Sequence, residues 1–268
     1  MSIVGGGIGA PAKNRQPTSP QLGHTQPSNP SKPTSVTFPD RSVTIPESAV
    51  TFPDRSVTIG RNTHDRWLPA TEVFGEGIFM KFTETGLSDW ETANRRQLLK
   101  HLADVTANFK HAELMRRFDS VSRLLPRFMA IHTFSHLLMR QLCFEAGYSA
   151  ASIRERLYVG PKHAGLLIYT ADGDSEGSLG GLVRQGRSDR LPGTIMAALE
   201  RATWCSNDPI CSEMPAHGLA GLDMAACHAC ALAPETSCTH FNVLLDRTLI
   251  TSDGADGRPY GLFAPVIR

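Results

Sequence analysis

The sequence predicts an α+β fold: helices packed on a small sheet, a cysteine-rich lobe on the C-terminal side, and a disordered N-terminus. Three observations lead there. Residues 1–34 set Pro11, Pro17, Pro20, Pro27, Pro30 and Pro33 among Gly, Ser, Gln and Asn, too little apolar surface to offset the entropy of ordering. Beyond that tract, helical spacing of apolar residues at 98–109 and 124–144 alternates with a continuous apolar run at 164–170. Finally, five of the six cysteines crowd between Cys205 and Cys238.

Taken in order, the first feature is Ile3-Val-Gly-Gly-Gly-Ile-Gly9, which looks like a dinucleotide fingerprint. That fingerprint needs a following helix and a later acidic residue; Pro11 and a proline-rich tract follow instead. Val36 to Ile45 recurs unchanged as Val50 to Ile59. Each copy offers a short strand, Ser-Val-Thr-Ile, after a Pro-Asp turn, and two copies are too few for a solenoid. Residues 1–65 are therefore read as a disordered, low-complexity segment holding a strand-like duplication, and 66–268 as the folded domain, with its cysteine lobe at 204–250.

Order begins near Trp67, and residues 72–82 read as one or two strands. Ser88 and Glu91 have the spacing of a capping box, predicting a helix that places Leu98, Leu102, Val105 and Phe109 on one face. A second, strongly apolar helix runs from Leu124 to Phe144, starting near Pro126 and stopped by Gly147. Ser152 and Glu155 suggest the cap of a short third helix. Ala164 to Thr170 reads as a buried strand. Gly173 to Gly186 reads as a glycine-rich turn with a short strand at Leu182-Val183. Pro192 to Trp204 is a helix with Ile195, Met196 and Leu199 on one side. Phe241 to Ile250 closes the domain as a helix or a helix–strand transition.

The charge balance excludes some functions. With 27 basic and 26 acidic residues the net charge is +1, so global charge does not argue for a nucleic-acid or membrane surface. No stretch has the roughly 18–20 apolar residues of a membrane helix. The start of the chain lacks the basic region of a secretion signal. The expected compartment is the cytoplasm, where clustered cysteines bind metal rather than form disulfides.

The cysteines follow the spacing C-x5-C-x15-C-x2-C-x7-C. A C-x2-C pair presents two thiolates from one turn to a single ion, and ligands from elsewhere close the tetrahedron. Soft thiolates favour zinc or iron–sulfur over magnesium or calcium. The preferred set is Cys211, Cys227, Cys230 and Cys238, with Cys205 the alternate; His228, His217 and His240 are weaker candidates. An all-cysteine set leaves no open position, so the Zn2+ site reads as structural.

Two further constellations stand out. His132 and His136 lie one helical turn apart, with Arg140 one turn beyond. The metalloprotease motif is absent, since Thr133 stands where its Glu belongs. The stripe reads either as polar groups on a buried helix, as metal ligands, or as a phosphate-facing surface continued by Arg184. The acidic Asp172, Asp174 and Glu176 do not complete a calcium loop.

Several motifs together resemble a known family. They are Val73-Phe-Gly-Glu-Gly-Ile-Phe79, His132-Thr-Phe-Ser-His136, Gly147-Tyr-Ser-Ala-Ala-Ser-Ile-Arg-Glu155, Gly180-Gly-Leu-Val-Arg184, Trp204-Cys-Ser-Asn-Asp-Pro-Ile-Cys211, Cys227-His-Ala-Cys230 and Phe241-Asn-Val-Leu-Leu-Asp-Arg247. Over about 66–250 the chain is similar to the C-terminal region of DrmB, a component of the DISARM antiphage system. The cysteine region resembles the MrfA-like zinc-binding domain found also at the C-terminus of certain DNA helicases. Cys227, Cys230, Cys238, Asn242 and Leu245-Asp246-Arg247 match that domain in order. The resemblance implies a zinc-stabilised, non-catalytic module working beside a helicase on DNA, with a DrmA-type helicase as partner. DrmB proteins are much longer, and residues 1–60 match nothing in them. The competing readings are a metal-dependent hydrolase or nuclease using His132 and His136, and a protein-binding scaffold without DNA affinity.

Overall fold

The computed structural model describes residues 4–8, 36–38, 41–43, 75–111, 125–170, 180–252 and 260–267. The chain divides into two units, Met1–Ala10 with Val73–Arg268, and Pro11–Glu72. The segment expected to be disordered contributes strand β1 (Val4–Ile8) to the larger unit. In the smaller unit the first copy of the duplication forms a hairpin of β2 (Val36–Phe38) and β3 (Arg41–Val43), in register Val36 to Val43. The second copy and the Asp172–Glu176 loop lie outside the described residues.

In the larger unit β4 (Gly77–Lys81), β5 (Ile153–Gly160) and β6 (His163–Thr170) join β1 in an antiparallel sheet of order β1-β4-β6-β5. Ile78, Met80, Ala164, Leu166 and Ile168 are buried, whereas Phe79 between Ile78 and Met80 is exposed, the alternation expected where one face meets a core. Gly77 to Tyr169 and Ile153 to Thr170 set the registers.

Three short helices, α1 (Glu84–Ala93), α2 (Arg95–His101) and α3 (Ala103–His111), follow β4. Ser88 is therefore not a cap: it lies inside α1, where its hydroxyl donates to Glu84 Oε1 at 3.2 Å. The predicted apolar face holds, because Leu98, Leu102, Val105 and Phe109 are all buried.

The centre of the fold is α4 (Leu125–Ala146), which packs on β5 and β6. Every residue from Arg127 to Met139 is buried, so this helix is enclosed on all sides rather than amphipathic. Each buried Leu, Ile or Phe contributes about 1.5–3 kcal/mol, and Phe128, Ile131, Phe134, Leu138 and Leu142 make α4 the main source of that energy. Arg127 is buried on this helix and satisfied: its guanidinium donates to both Glu91 oxygens and to Glu84, tying α1 to α4. Gly147 takes φ +75° and donates its amide to Cys143 O, the left-handed stop that the sequence signalled.

Beyond α4 the local readings diverge from the structure in three places. Ser152 and Glu155 do not cap a helix; Ser149 caps a single 3-10 turn at Ala150–Ser152 and the chain then enters β5. The register of β5 alternates Ile153 and Glu155 inward, so two-residue periodicity prevailed over the capping pattern. Leu182-Val183 belongs to a short helix, α5 (Gly181–Gln185), whose Val183 amide donates to the Glu76 carboxylate. Phe241 to Arg247 is irregular, with Phe241, Asn242 and Leu244 at positive φ, and only α8 (Thr248–Thr251) is helical in that stretch. Between these lie α6 (Leu191–Ala202), as predicted, and α7 (Ile210–Glu213). A last turn, α9 (Ala264–Ile267), follows. Among the described residues no helix is long and apolar enough to cross a membrane.

Candidate metal centres

Four cysteines converge in the C-terminal lobe. Cys205 follows the end of α6, Cys211 sits on α7, and Cys227 and Cys230 bracket a tight turn. Their sulfurs all lie within 4.8 Å of one another. Individual separations are 3.5 Å for Cys205–Cys227, 3.8 Å for Cys211–Cys230 and 3.7 Å for Cys227–Cys230. A tetrahedron with metal–sulfur arms near 2.3 Å has edges of about 3.8 Å. These spacings fit that figure and are far too long for disulfides, near 2.05 Å. All four thiols are free, and they pack with Ala226, Ala231 and Leu245 in a small apolar cluster of their own.

Backbone amides aim at these sulfurs, Asn207 N at Cys205 Sγ (3.4 Å) and Cys227 N at Cys230 Sγ (3.2 Å). Such donors favour the charged thiolate. Burial opposes ionisation of Cys227, but hydrogen bonds from Cys205 and from the Ala229 and Cys230 amides outweigh it and bring its pKa down to about 7. Burial and its thiol neighbours push Cys230 up to about 11 and Cys211 higher still. Four thiols crowded in this way cannot all ionise without a cation between them.

The lobe is held by ion pairs that explain the sequence motifs. Arg247 is buried and donates to Ala202 O (3.1 Å) and to both oxygens of Asp208 (2.7 and 2.9 Å). Asp208 also accepts the Cys205 amide at 2.6 Å. The Leu-Asp-Arg stretch thus fixes the loop that presents Cys205. Asn242 clamps Ala233 through both amide groups at 2.9 Å. The buried Asp246 takes His101 Nε2 at 2.6 Å and the Thr248 amide at 2.9 Å.

The polar stripe of α4 faces this lobe, not solvent. His132 and His136 are fully buried, so neither can meet a phosphate as the phosphate-facing reading required. Arg140 is exposed, yet its guanidinium donates to the carbonyls of His228, Ala229 and Leu232, capping the Cys227–Cys230 turn. Arg184 is exposed on α5, well separated in sequence from that stripe.

Cys238, preferred as a ligand in the sequence reading, is not part of the sulfur cluster; Cys205 takes that place. Cys238 instead joins His132, His136 and Glu155, whose ligand atoms also lie within 4.8 Å of one another and all of which are buried. The cause is the chain path: Ser237 O accepts the Glu155 amide and Ser237 Oγ donates to Ala150 O, pinning the segment beside β5. His132 Nε2 is 3.2 Å from Cys238 Sγ and 3.0 Å from Glu155 Oε1. His136 Nε2 is 3.3 Å from the same oxygen. Burial alone would lower the histidine pKa values. Glu155 and Cys238 raise them instead, His132 to about 10 and His136 to about 9, while the histidines draw Glu155 well below its usual range and Cys238 to about 7. Sequence reasoning missed Glu155 because it placed the residue on a helix. The available signal was the alternation of Ile153, Glu155 and Leu157 along a strand. Of the weaker histidine candidates, His228 is exposed and His217 Nε2 contacts Ala226 O, so neither joins the sulfur cluster.

Comparison with known proteins agrees with the four-sulfur site. The family model of the MrfA Zn-binding domain matches residues 134–231, a span that includes all four clustered cysteines. The chain is similar to DISARM protein DrmB of Bacillus paralicheniformis (strain ATCC 9945a / NCIMB 11709 / CD-2), at 42% identity over 192 residues. The alignment takes in 70% of this chain, and the chain spans about a third (33%) of the length of that relative. The resemblance carried by the sequence motifs is thus borne out, and the domain match with the four-sulfur cluster makes zinc the cofactor.

Proposed function

We propose that this chain is a non-catalytic zinc module of a DISARM-type antiphage assembly, in which Cys205, Cys211, Cys227 and Cys230 hold one structural zinc. The observation that carries the reading is the convergence of four buried or half-buried thiols, at tetrahedral spacing, inside the matched domain. Zinc supplies folding free energy there, since the apolar cluster around it is small and structural zinc is worth roughly 10 kcal/mol or more in small zinc modules. Four thiolates complete the coordination shell and leave no position for a reacting water. The role is therefore to set the shape of a surface.

The partner we assign is a helicase of the DrmA type, and the shared substrate is DNA. The support is the similarity to DrmB together with the exposed Arg184, Arg187 and Arg190 that follow β6. Co-purification of the chain with such a helicase, with and without Cys227→Ser, tests the reading. Capture by the intact protein and its loss in the variant are expected. Failure of the zinc-loaded protein to bind the helicase refutes it. A DNA-binding titration against salt separates the helicase-and-DNA reading from a protein-only scaffold, because phosphate contacts weaken steeply as salt rises.

A further inference from the structure

The lobe accounts for four of the five clustered cysteines. The fifth sits in a second, separate constellation that the structural zinc does not explain. We infer that His132, His136, Glu155 and Cys238 form a second zinc site, which fastens the cysteine lobe to α4 and β5.

The geometry carries the inference. His136 Nδ1 lies 2.9 Å from Ala231 O, so that nitrogen bears the proton. In the neutral ring Nε2 then holds a lone pair, and it points at the Glu155 carboxylate oxygen 3.3 Å away. Two lone pairs facing each other in a dry interior need a proton or a cation between them, and atoms placed to share a proton are placed to share a divalent ion. A carbonyl behind the distal ring nitrogen is the arrangement that orients metal-bound histidines. His132 Nε2 addresses the same oxygen at 3.0 Å and the Cys238 sulfur at 3.2 Å. Donors about 2.0–2.3 Å from a tetrahedral zinc stand about 3.3–3.5 Å apart, close to these separations.

The sulfur is prepared for charge. The amides of His240 and Asn242 both donate to Cys238 Sγ at 3.4 Å, brought there by the positive φ of Phe241 and Asn242. Glu155 Oε2 is buried and has no hydrogen-bond partner among the described residues, which leaves the carboxylate capacity for a cation. Two neutral imidazoles, one carboxylate and one thiolate sum to −2, which a divalent ion neutralises without any outside charge. Two nitrogens, an oxygen and a sulfur suit zinc rather than calcium or magnesium. Four protein donors, all buried, close the shell, so this site too is structural. Its ligands come from α4, β5 and the segment after the cysteine turn, three parts of the chain that only the folded domain brings together.

The test is the zinc content of the purified full chain combined with X-ray absorption at the zinc edge. The inference expects two zinc ions per chain. Over the two sites the shell is five sulfurs and three nitrogen or oxygen donors, with imidazole outer-shell scattering, from the eight residues named. One zinc with an all-sulfur shell overturns the second site and leaves the four-cysteine reading intact. One zinc with a mixed shell and imidazole scattering keeps the second site and refutes the four-cysteine reading. Because both measurements use the unaltered protein, no folding defect can blur them. Glu155→Gln, which preserves shape, is expected to lower the content from two to one while retaining the all-sulfur ion; content unchanged at two with both shells intact removes Glu155 from the site.

Discussion

The bond between Arg247 and Asp208 is the sharpest test of how the lobe is held. The perturbation is Asp208→Ala. Arg247 is buried, with 5% of its side chain exposed; among the described residues its Nε has no partner, and Asp208 accepts two of the three hydrogen bonds its guanidinium makes to oxygen. Removing one member of a fully buried pair costs about 3–5 kcal/mol. Asp208 is itself 26% exposed, so water reaches part of the vacated space and the cost falls toward about 2–3 kcal/mol. The Cys205 amide also loses its 2.6 Å acceptor, worth about 1 kcal/mol. The sum is about 3–4 kcal/mol. It is measured by urea unfolding at saturating zinc, with zinc release to a chelator followed in parallel. Because Asp208 orders the loop that carries Cys205, release is expected to accelerate at least tenfold. The double variant Asp208→Ala with Arg247→Met should recover part of the loss, since the orphaned charge is gone. A change under about 0.5 kcal/mol with unaltered release would refute the argument.

Other outcomes follow from the same geometry. Arg127→Met severs the link between α1 and α4 and should cost about 2–3 kcal/mol by urea unfolding, less than a fully buried pair because Glu84 and Glu91 can hydrate. Leu138→Ala, at the fully buried centre of α4, should cost about 2–5 kcal/mol in the same assay. Arg140→Ala uncovers the carbonyls of the Cys227–Cys230 turn; as Arg140 is exposed, about 1 kcal/mol and a modestly faster zinc release are expected. Stability should fall with acid. The zinc-bound state holds thiolates where the unfolded chain holds thiols, so the unfolded state binds more protons and stability rises with pH until free thiols ionise near about 8.5. Unfolding between pH 6 and pH 8 reads that slope, which should be shallower in Cys227→Ser.

Much of the frame was legible in the sequence, and the reasons differ by element. The helix at Pro192 and the apolar face from Leu98 to Phe109 were readable because a helical period governed each one, and the strand at Ala164–Thr170 because its apolar run is continuous. The helix around His132 was readable as a helix, though its burial on every side left no solvent-facing side to show that its polar stripe points inward. β5 was missed because the Ser152–Glu155 spacing mimics a cap, while its true inward residues include a glutamate. The irregular 241–247 stretch was read as part of a helix or a helix–strand transition, yet three positive φ angles bend it around Cys238 and Ala233. The cysteine cluster was visible as a metal site. Its membership was not, because whether Cys205 or Cys238 joins Cys227 depends on Arg247 and Asp208 meeting across 39 residues and on Ser237 docking beside β5.

The most direct test of the central claim is zinc binding by single Cys→Ser variants at Cys205, Cys211, Cys227, Cys230 and Cys238, with the zinc shell of each read by X-ray absorption. The account predicts that the first four substitutions each abolish the all-sulfur zinc, whereas Cys238→Ser retains it. Retention of that ion in Cys205→Ser, with its loss in Cys238→Ser, would contradict the account.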